Sequence, residues 1–188
     1  MRSSTSALPP WSNVGVLPPI RPTVPGCSTD RSPYTVDLAA FVERFATSPE
    51  RKKILGGLLK FRQALHKQGI VRGFQWLDGS FLEDVETLEK RHPRDMDIVT
   101  LFHLPDGDDQ STLTKRAGTL FHNNHLKTTY AMDAYFVVLD QPTDEWQVRN
   151  VSYWYSMWSH RRDGLWKGFV QIDLDSAQDG DAGAILSS

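Results

Sequence analysis

Asp95 and Asp97 stand two apart in the run "RDMDIV". In a strand, alternate side chains point to opposite faces, so both carboxylates share one face while Met96 and Ile98 turn to the core. Neighbouring carboxylates repel unless a cation lies between them or one stays protonated. A hard cation such as Mg²⁺ takes carboxylate oxygens together with substrate phosphates. Asp133 repeats the oddity inside "MDAYFVV", where a lone acid in a buried strand is costly unless paired or metal-bound. Ahead of both, "GFQWLDGSF" breaks off through Asp78, Gly79 and Ser80. That is either a tight turn or a place where a ligand approaches the backbone more closely than a side chain allows. Taken singly, an acid pair facing water, an edge-strand acid and a turn explain the three features. Their order along the chain favours one shared site.

The elements that must position these residues alternate between helix and strand. "YTVDLAAFVERFA" carries apolar residues at helical spacing and suits a short amphipathic helix. Ser48-Pro49-Glu50 is a start signal, with Ser48 as cap and Pro49 in the first turn; the next helix is expected from about Pro49 to Lys67, stopped by Gly69. Strands are expected at about 72–78, over "RDMDIVTLF", over "YAMDAYFVVL" and over "WKGFVQIDL". Residues 81–92 suit a short helix and a loop. Helices are expected at about 109–123 and 143–158, the second carrying Trp154 and Trp158 four apart. Helices between strands predict an α/β or α+β fold, a mixed sheet packed against helices in a single domain.

Seven of the eleven prolines lie in residues 1–33, which predicts a start that is largely disordered or draped on the surface, with Val16, Leu17 and Ile20 to hold it. The domain proper is expected over 34–175. Residues 176–188, small and acidic, predict a loose tail. The 188 residues suffice for one core and hardly for two. A formal charge of −2 argues against a general nucleic-acid binder. The single cysteine, Cys27, excludes an internal disulfide and a cysteine metal cage. With no long apolar run and no signal-peptide pattern, a cytoplasmic protein without membrane contact is expected.

"LDGSF", a spacer, "PRDMDIV" and then "MDAYF" resemble the nucleotidyltransferase superfamily of the polymerase-β type. The family pattern is an apolar residue with Gly-Ser, a spacer, Asp-x-Asp between apolar residues, and a third acid on a later strand. The spacer here, residues 81–94, is at the long end. "VERFATSPERKK", "WLDGSFLED", "HPRDMDIV" and "HRRDGLWKGFVQIDL" further resemble a group of short bacterial nucleotidyltransferase-like proteins. The resemblance implies that Gly79 and Ser80 bind the triphosphate of an NTP. It implies that Asp95, Asp97 and Asp133 hold Mg²⁺ or Mn²⁺ and carry the catalysis. A nucleoside monophosphate would then pass to an acceptor hydroxyl, with Asp133 as general base if it reaches that hydroxyl. Small members of the superfamily include antitoxin-type enzymes that transfer AMP to a partner protein. That implies a toxin–antitoxin or antiviral defence setting, with the acceptor on a partner protein, a partner subunit's substrate or this chain itself. An oligomer is left open. The alternative is a catalytically inactive nucleotide- or partner-binding module with the same fold.

Weaker candidates surround this set. Arg161, Arg162 and Lys167 lie near a turn and suit a solvated hairpin, or contact with a phosphate or partner. Lys167-Gly168 opens the last expected strand, its glycine again permitting close approach, and Lys167 is counted with Gly79 and Ser80 as nucleotide-binding. Lys127, expected in a loop, is a lesser candidate of the same kind. His103, His122 and His125 lack a further zinc ligand at compatible spacing. Trp154 and Trp158 suit packing on the sheet, with a base-stacking platform or partner surface as the alternative. Asp78 suits a structural hydrogen bond, with a catalytic-loop role as the alternative, and Glu83 and Asp84 suit the surface.

Overall fold

The computed structural model describes residues 7–140 and 142–187; residues 1–6 of the proline-rich start and Ser188 of the tail lie outside them. The elements in order are β1 (Tyr34–Thr35), α1 (Leu38–Phe45), α2 (Pro49–Lys67), β2 (Gly73–Asp78), α3 (Val85–Leu88), β3 (Met96–Phe102), α4 (Gln110–Ala117), α5 (Asn123–Tyr130), β4 (Met132–Val138), α6 (Glu145–Trp158), β5 (Val170–Asp173) and α7 (Asp179–Ser187). The strands form one sheet in the order β1-β5-β2-β3-β4. β1 runs parallel to β5 and β3 parallel to β4, while β2 is antiparallel to both its neighbours. The fold is the mixed α/β single domain expected. No helix among the described residues is long and apolar enough to cross a membrane.

α2 covers one face of the sheet. The Ser48 side chain accepts a hydrogen bond from the Arg51 amide at its start, and Ile54, Leu55, Leu58, Phe61 and Leu65 are buried along it. Two arginines, Arg51 and Arg62, are fully buried on the same helix. Each is fully engaged. Arg51 donates to the carbonyls of Phe81 and Glu83, both at 2.6 Å, and to Glu86. Arg62 donates to Gln75 and to the Asp173 carbonyl, both at 2.9 Å, and to Asp179. A buried guanidinium is tolerated only with its donors matched in this way. On the opposite face Trp76 packs against Tyr155 of α6 and against Phe169.

Four expectations are corrected. The expected helix at 109–123 ends at Ala117, tightens into a 3-10 turn over residues 118–121, and gives way to α5. Lys127 therefore stands on a helix. Periodicity did not show α5, because Asn, His and Thr dominate it and Leu126 is its one buried residue. The last strand begins only at Val170, and Gly168 lies ahead of it. The close approach at Gly168 is made by the chain itself: its amide donates to the Leu17 carbonyl at 2.7 Å, and a β-carbon there would sit 2.7 Å from the Pro18 carbonyl oxygen.

The proline-rich start, from residue 7, is neither disordered nor merely draped. Val16 and Leu17 are buried, and Leu17 joins the core. The Trp11 indole donates to the Leu82 carbonyl at 2.6 Å, and the Asp84 amide donates to the Gly15 carbonyl. A segment without regular structure satisfies its backbone here against neighbouring loops. The tail is the fourth correction. Residues 179–187 form α7, which buries Ala182 and gives the Asp179 carboxylate to Arg62 at 2.8 Å.

Candidate active site

The strand register builds the site. Asp78 at the end of β2 lies opposite Asp97 of β3, and Asp97 lies opposite Asp133 of β4. The three carboxylates form a row across the sheet, on the same face as Trp76. Two residues further along the strands, the parallel row is Trp76, Val99 and Tyr135, beneath α6. The acids thus occupy the open end of a face whose other end is covered.

An ammonium stands at each end of the row. Lys167, 5% exposed, places its Nζ 2.9 Å from Asp78 Oδ1 and 3.1 Å from Glu83 Oε1. Lys127 of α5 places its Nζ 3.0 Å from Asp95 Oδ2 and 3.3 Å from Asp133 Oδ2. Asp97, in the middle, has neither as a direct partner. Burial, reinforced by Asp133 and Asp95, pushes its carboxyl up to about 6. Burial also raises Asp78, to about 7, against the pull of Lys167. One ammonium shared by two carboxylates cannot neutralise both, and Asp78 and Glu83 together keep Lys167 charged in spite of its burial. Asp133 moves the other way: hydrogen bonds from Asn123 and Lys127 outweigh burial and hold it below the usual carboxylate range.

The turn after β2 closes directly on this row. Gly79 has φ +86° and ψ −175°, a conformation open to glycine. A β-carbon there would lie 2.9 Å from Asp97 Oδ2. Ser80 opens a 3-10 turn over residues 80–82, and the N-cap position of α3 is Asp84.

Asp95, Asp97, Asp133, Gly79, Ser80 and Lys167 all line one open cleft of about 850 Å³. The structure brings together every residue of the sequence-derived set. Lys167 differs in character from the expectation: its ammonium is engaged within the protein, tying the strand before the Gly79-Ser80 turn to Glu83 after it. Glu83 is correspondingly buried, against the surface position expected. Arg161 pairs with Glu83 at 3.5 Å and Glu89 at 3.8 Å. Arg94 and Arg162 line the cleft with no hydrogen bond or ion pair among the described residues. His103 is bound to Asp140 at 2.7 Å.

The donor set of Asp95, Asp97 and Asp133 is all oxygen and suits Mg²⁺ or Mn²⁺. Among the described residues no group of three or more His, Cys, Asp or Glu side chains meets in metal-holding geometry. The Lys127 ammonium instead bridges two of the three carboxylates, as a cation shared between them would.

A family model described as a family of unknown function, DUF6932, matches residues 9–173. The chain belongs to the DUF6932 family. No curated protein and no solved structure matches it. The DUF6932 match begins within the proline-rich start, in keeping with the burial of Val16 and Leu17. It also spans the whole acid row and both lysines. Three features of this DUF6932 site escaped the sequence reading: the bridging position of Lys127, the buried Glu83 and the aromatic Tyr135 beside Asp133. The last was signalled by spacing alone, since Tyr135 follows Asp133 by two and so shares its face.

Proposed function

We propose that the cleft transfers a nucleoside monophosphate from an NTP to an acceptor hydroxyl. The observation that carries this reading is the register Asp78–Asp97–Asp133, with the Gly79-Ser80 turn folded against its central carboxylate. The resemblance of "LDGSF", "PRDMDIV" and "MDAYF" to the polymerase-β-type superfamily supports it independently. The cleft volume of about 850 Å³ suits a small-molecule substrate.

Mg²⁺ or Mn²⁺, held by Asp95, Asp97 and Asp133, would neutralise charge on the entering and leaving oxygens. The chain's own residues supply the rest. The backbone amides of the Gly79-Ser80 turn and the Ser80 hydroxyl bind triphosphate oxygens. Arg94 and Arg162, with no ion pair among the described residues, attract the polyphosphate into a cleft whose floor is acidic. Asp133 is held ionised by Asn123 and Lys127, and a carboxylate below its usual range is a weak base. Its part is to orient the acceptor hydroxyl more than to store the proton. The acceptor is proposed to be a hydroxyl on a partner protein, by analogy with antitoxin-type members of the superfamily.

One observation favours a second reading, a non-catalytic nucleotide- or partner-binding module: Lys127 fills the place between Asp95 and Asp133. The two readings part in one experiment. Purified protein is incubated with Mg²⁺ or Mn²⁺ and each α-³²P-labelled NTP, with and without cell lysate, beside an Asp95→Ala/Asp97→Ala variant. Label on a macromolecule with wild type and none with the variant supports transfer. Nucleotide binding without label transfer or pyrophosphate release supports the module.

A further inference from the structure

The cleft has three chemically distinct parts, and the transfer reading uses only two. The floor is carboxylate. The rim carries arginines. The remaining wall is aromatic and thioether: Tyr135 from β4, with Trp154 and Met157 from α6. The spacing of Trp154 and Trp158 suggested one role for both; both border the cleft, but they differ in exposure. Trp158 is 4% exposed and packs edge-on against Phe169 in the core. Trp154 is half-buried and meets Tyr135 at 4.6 Å between ring centroids, at 44°.

Tyr135 itself is 38% exposed. It follows Asp133 by two on the same face of β4, and the Trp154 indole backs its ring. A ring on a sheet strand, backed on one side by a second ring, is a ready platform. Its exposed surface belongs to the cleft, beside the carboxylate row. Planar π-systems stack on such platforms with little regard to base identity, because each base has a π-face. A triphosphate alone would need only the rim and the turn. An exposed aromatic wall in an otherwise charged cleft fits a ligand with a flat, weakly polar part joined to a highly charged one.

We propose that Tyr135 and Trp154 form the nucleobase-stacking subsite of the cleft, so that the nucleotide lies with its base on this wall and its phosphates toward Gly79 and Ser80. This rests on the transfer reading for the identity of the ligand, but it concerns binding and not turnover. Because stacking tolerates any base, the subsite gives affinity without strong choice among NTPs.

The test is equilibrium binding by calorimetry, in Mg²⁺, of three probes: the α,β-methylene analogues of ATP and UTP, and inorganic tripolyphosphate. Wild type is expected to bind both analogues about tenfold or more tighter than tripolyphosphate. Trp154→Ala and Tyr135→Ala should bring the analogues down to the level of tripolyphosphate and leave tripolyphosphate binding unchanged, which also reports that the cleft is folded. Trp154→Phe should retain most of the difference. Equal binding of analogues and tripolyphosphate by wild type would overturn the stacking subsite and leave the phosphate site standing. An equal loss for all three probes in Trp154→Ala would assign Trp154 to structure alone. No binding of any probe by wild type would overturn both the subsite and the nucleotide reading.

Discussion

Asp97 is flanked across the strands by Asp78 and Asp133, and neither lysine pairs with it directly. The ammonium groups instead hold the ends of the row, one buried and one half-exposed. They differ in what their loss should do. Lys127 is replaceable by any cation that reaches Asp95 and Asp133. Lys127→Met should therefore tighten Mg²⁺ binding several-fold, read by calorimetry, since the competing ammonium is gone while the carboxylates remain. Weaker Mg²⁺ binding in that variant would mean that Lys127 holds the acids in place and does not compete. Lys167 has no such substitute. Lys167→Met leaves buried Asp78 without its counter-ion and Glu83 with only the longer contact of Arg161, and breaking a buried pair in this way costs about 3–5 kcal/mol. Urea denaturation of the variant should show that loss, and an unchanged midpoint would contradict it.

At the scale of elements, what was legible depended on whether the signal was local. α2 could be read to the residue because Ser48, Pro49 and Gly69 mark its ends by their own backbone chemistry. The Asp95/Asp97 pair and the Gly-Ser exit were legible because alternation along a strand and a strand exit are also local patterns; that Asp78 joins Asp97 and Asp133 in one row was not, because it depends on cross-strand register. Arg51, Arg62 and Glu83 were not legible as buried residues, because their partners lie 30 or more positions away for Arg51, up to 117 for Arg62 and 84 for Glu83. α7 was missed for the same reason. Its small residues carry no strong periodicity, and its anchor is the Asp179 carboxylate shared by Arg62 and His66. Burial works against ionised Asp179, but His66 and Arg62 outweigh it and hold the carboxyl below its ordinary range. A depressed acid contributes stability above the unfolded value, near 3.9, and loses it as pH falls through the lower folded value. Hydrogen exchange should show α7 losing protection below about pH 4 before α2 does. Asp179→Asn should show the same early loss at neutral pH. Equal protection of α7 and α2 across that range would place the anchor elsewhere.

For the whole molecule, the N-terminal segment is a structural strap. It meets the loop after the Gly79-Ser80 turn through Trp11 and Gly15, and the approach to β5 through Leu17. Both places adjoin residues that carry the Lys167 ion pairs. A variant lacking residues 1–20 removes the buried Val16 and Leu17 side chains. Loss of one such side chain costs about 2–5 kcal/mol when a cavity is left behind. The shortened protein should lose stability of at least that order and expose the loop 80–84 to protease, seen by denaturation and limited proteolysis. Unchanged stability would reduce the strap to a passenger.

The sheet order also fixes a sequence of events in time. β5 is inserted between β1 and β2, pairing Tyr34 with Val170 and Leu77 with Val170 from opposite sides. During synthesis, β2, β3 and β4 can assemble as their residues emerge, yet the inner edge of β2 stays open until residue 173 has been made. An unpaired edge is a template for another chain. The half-made protein therefore carries its acid row on a sheet with one raw side, and it is the last strand that both seals that side and ties the strap across it.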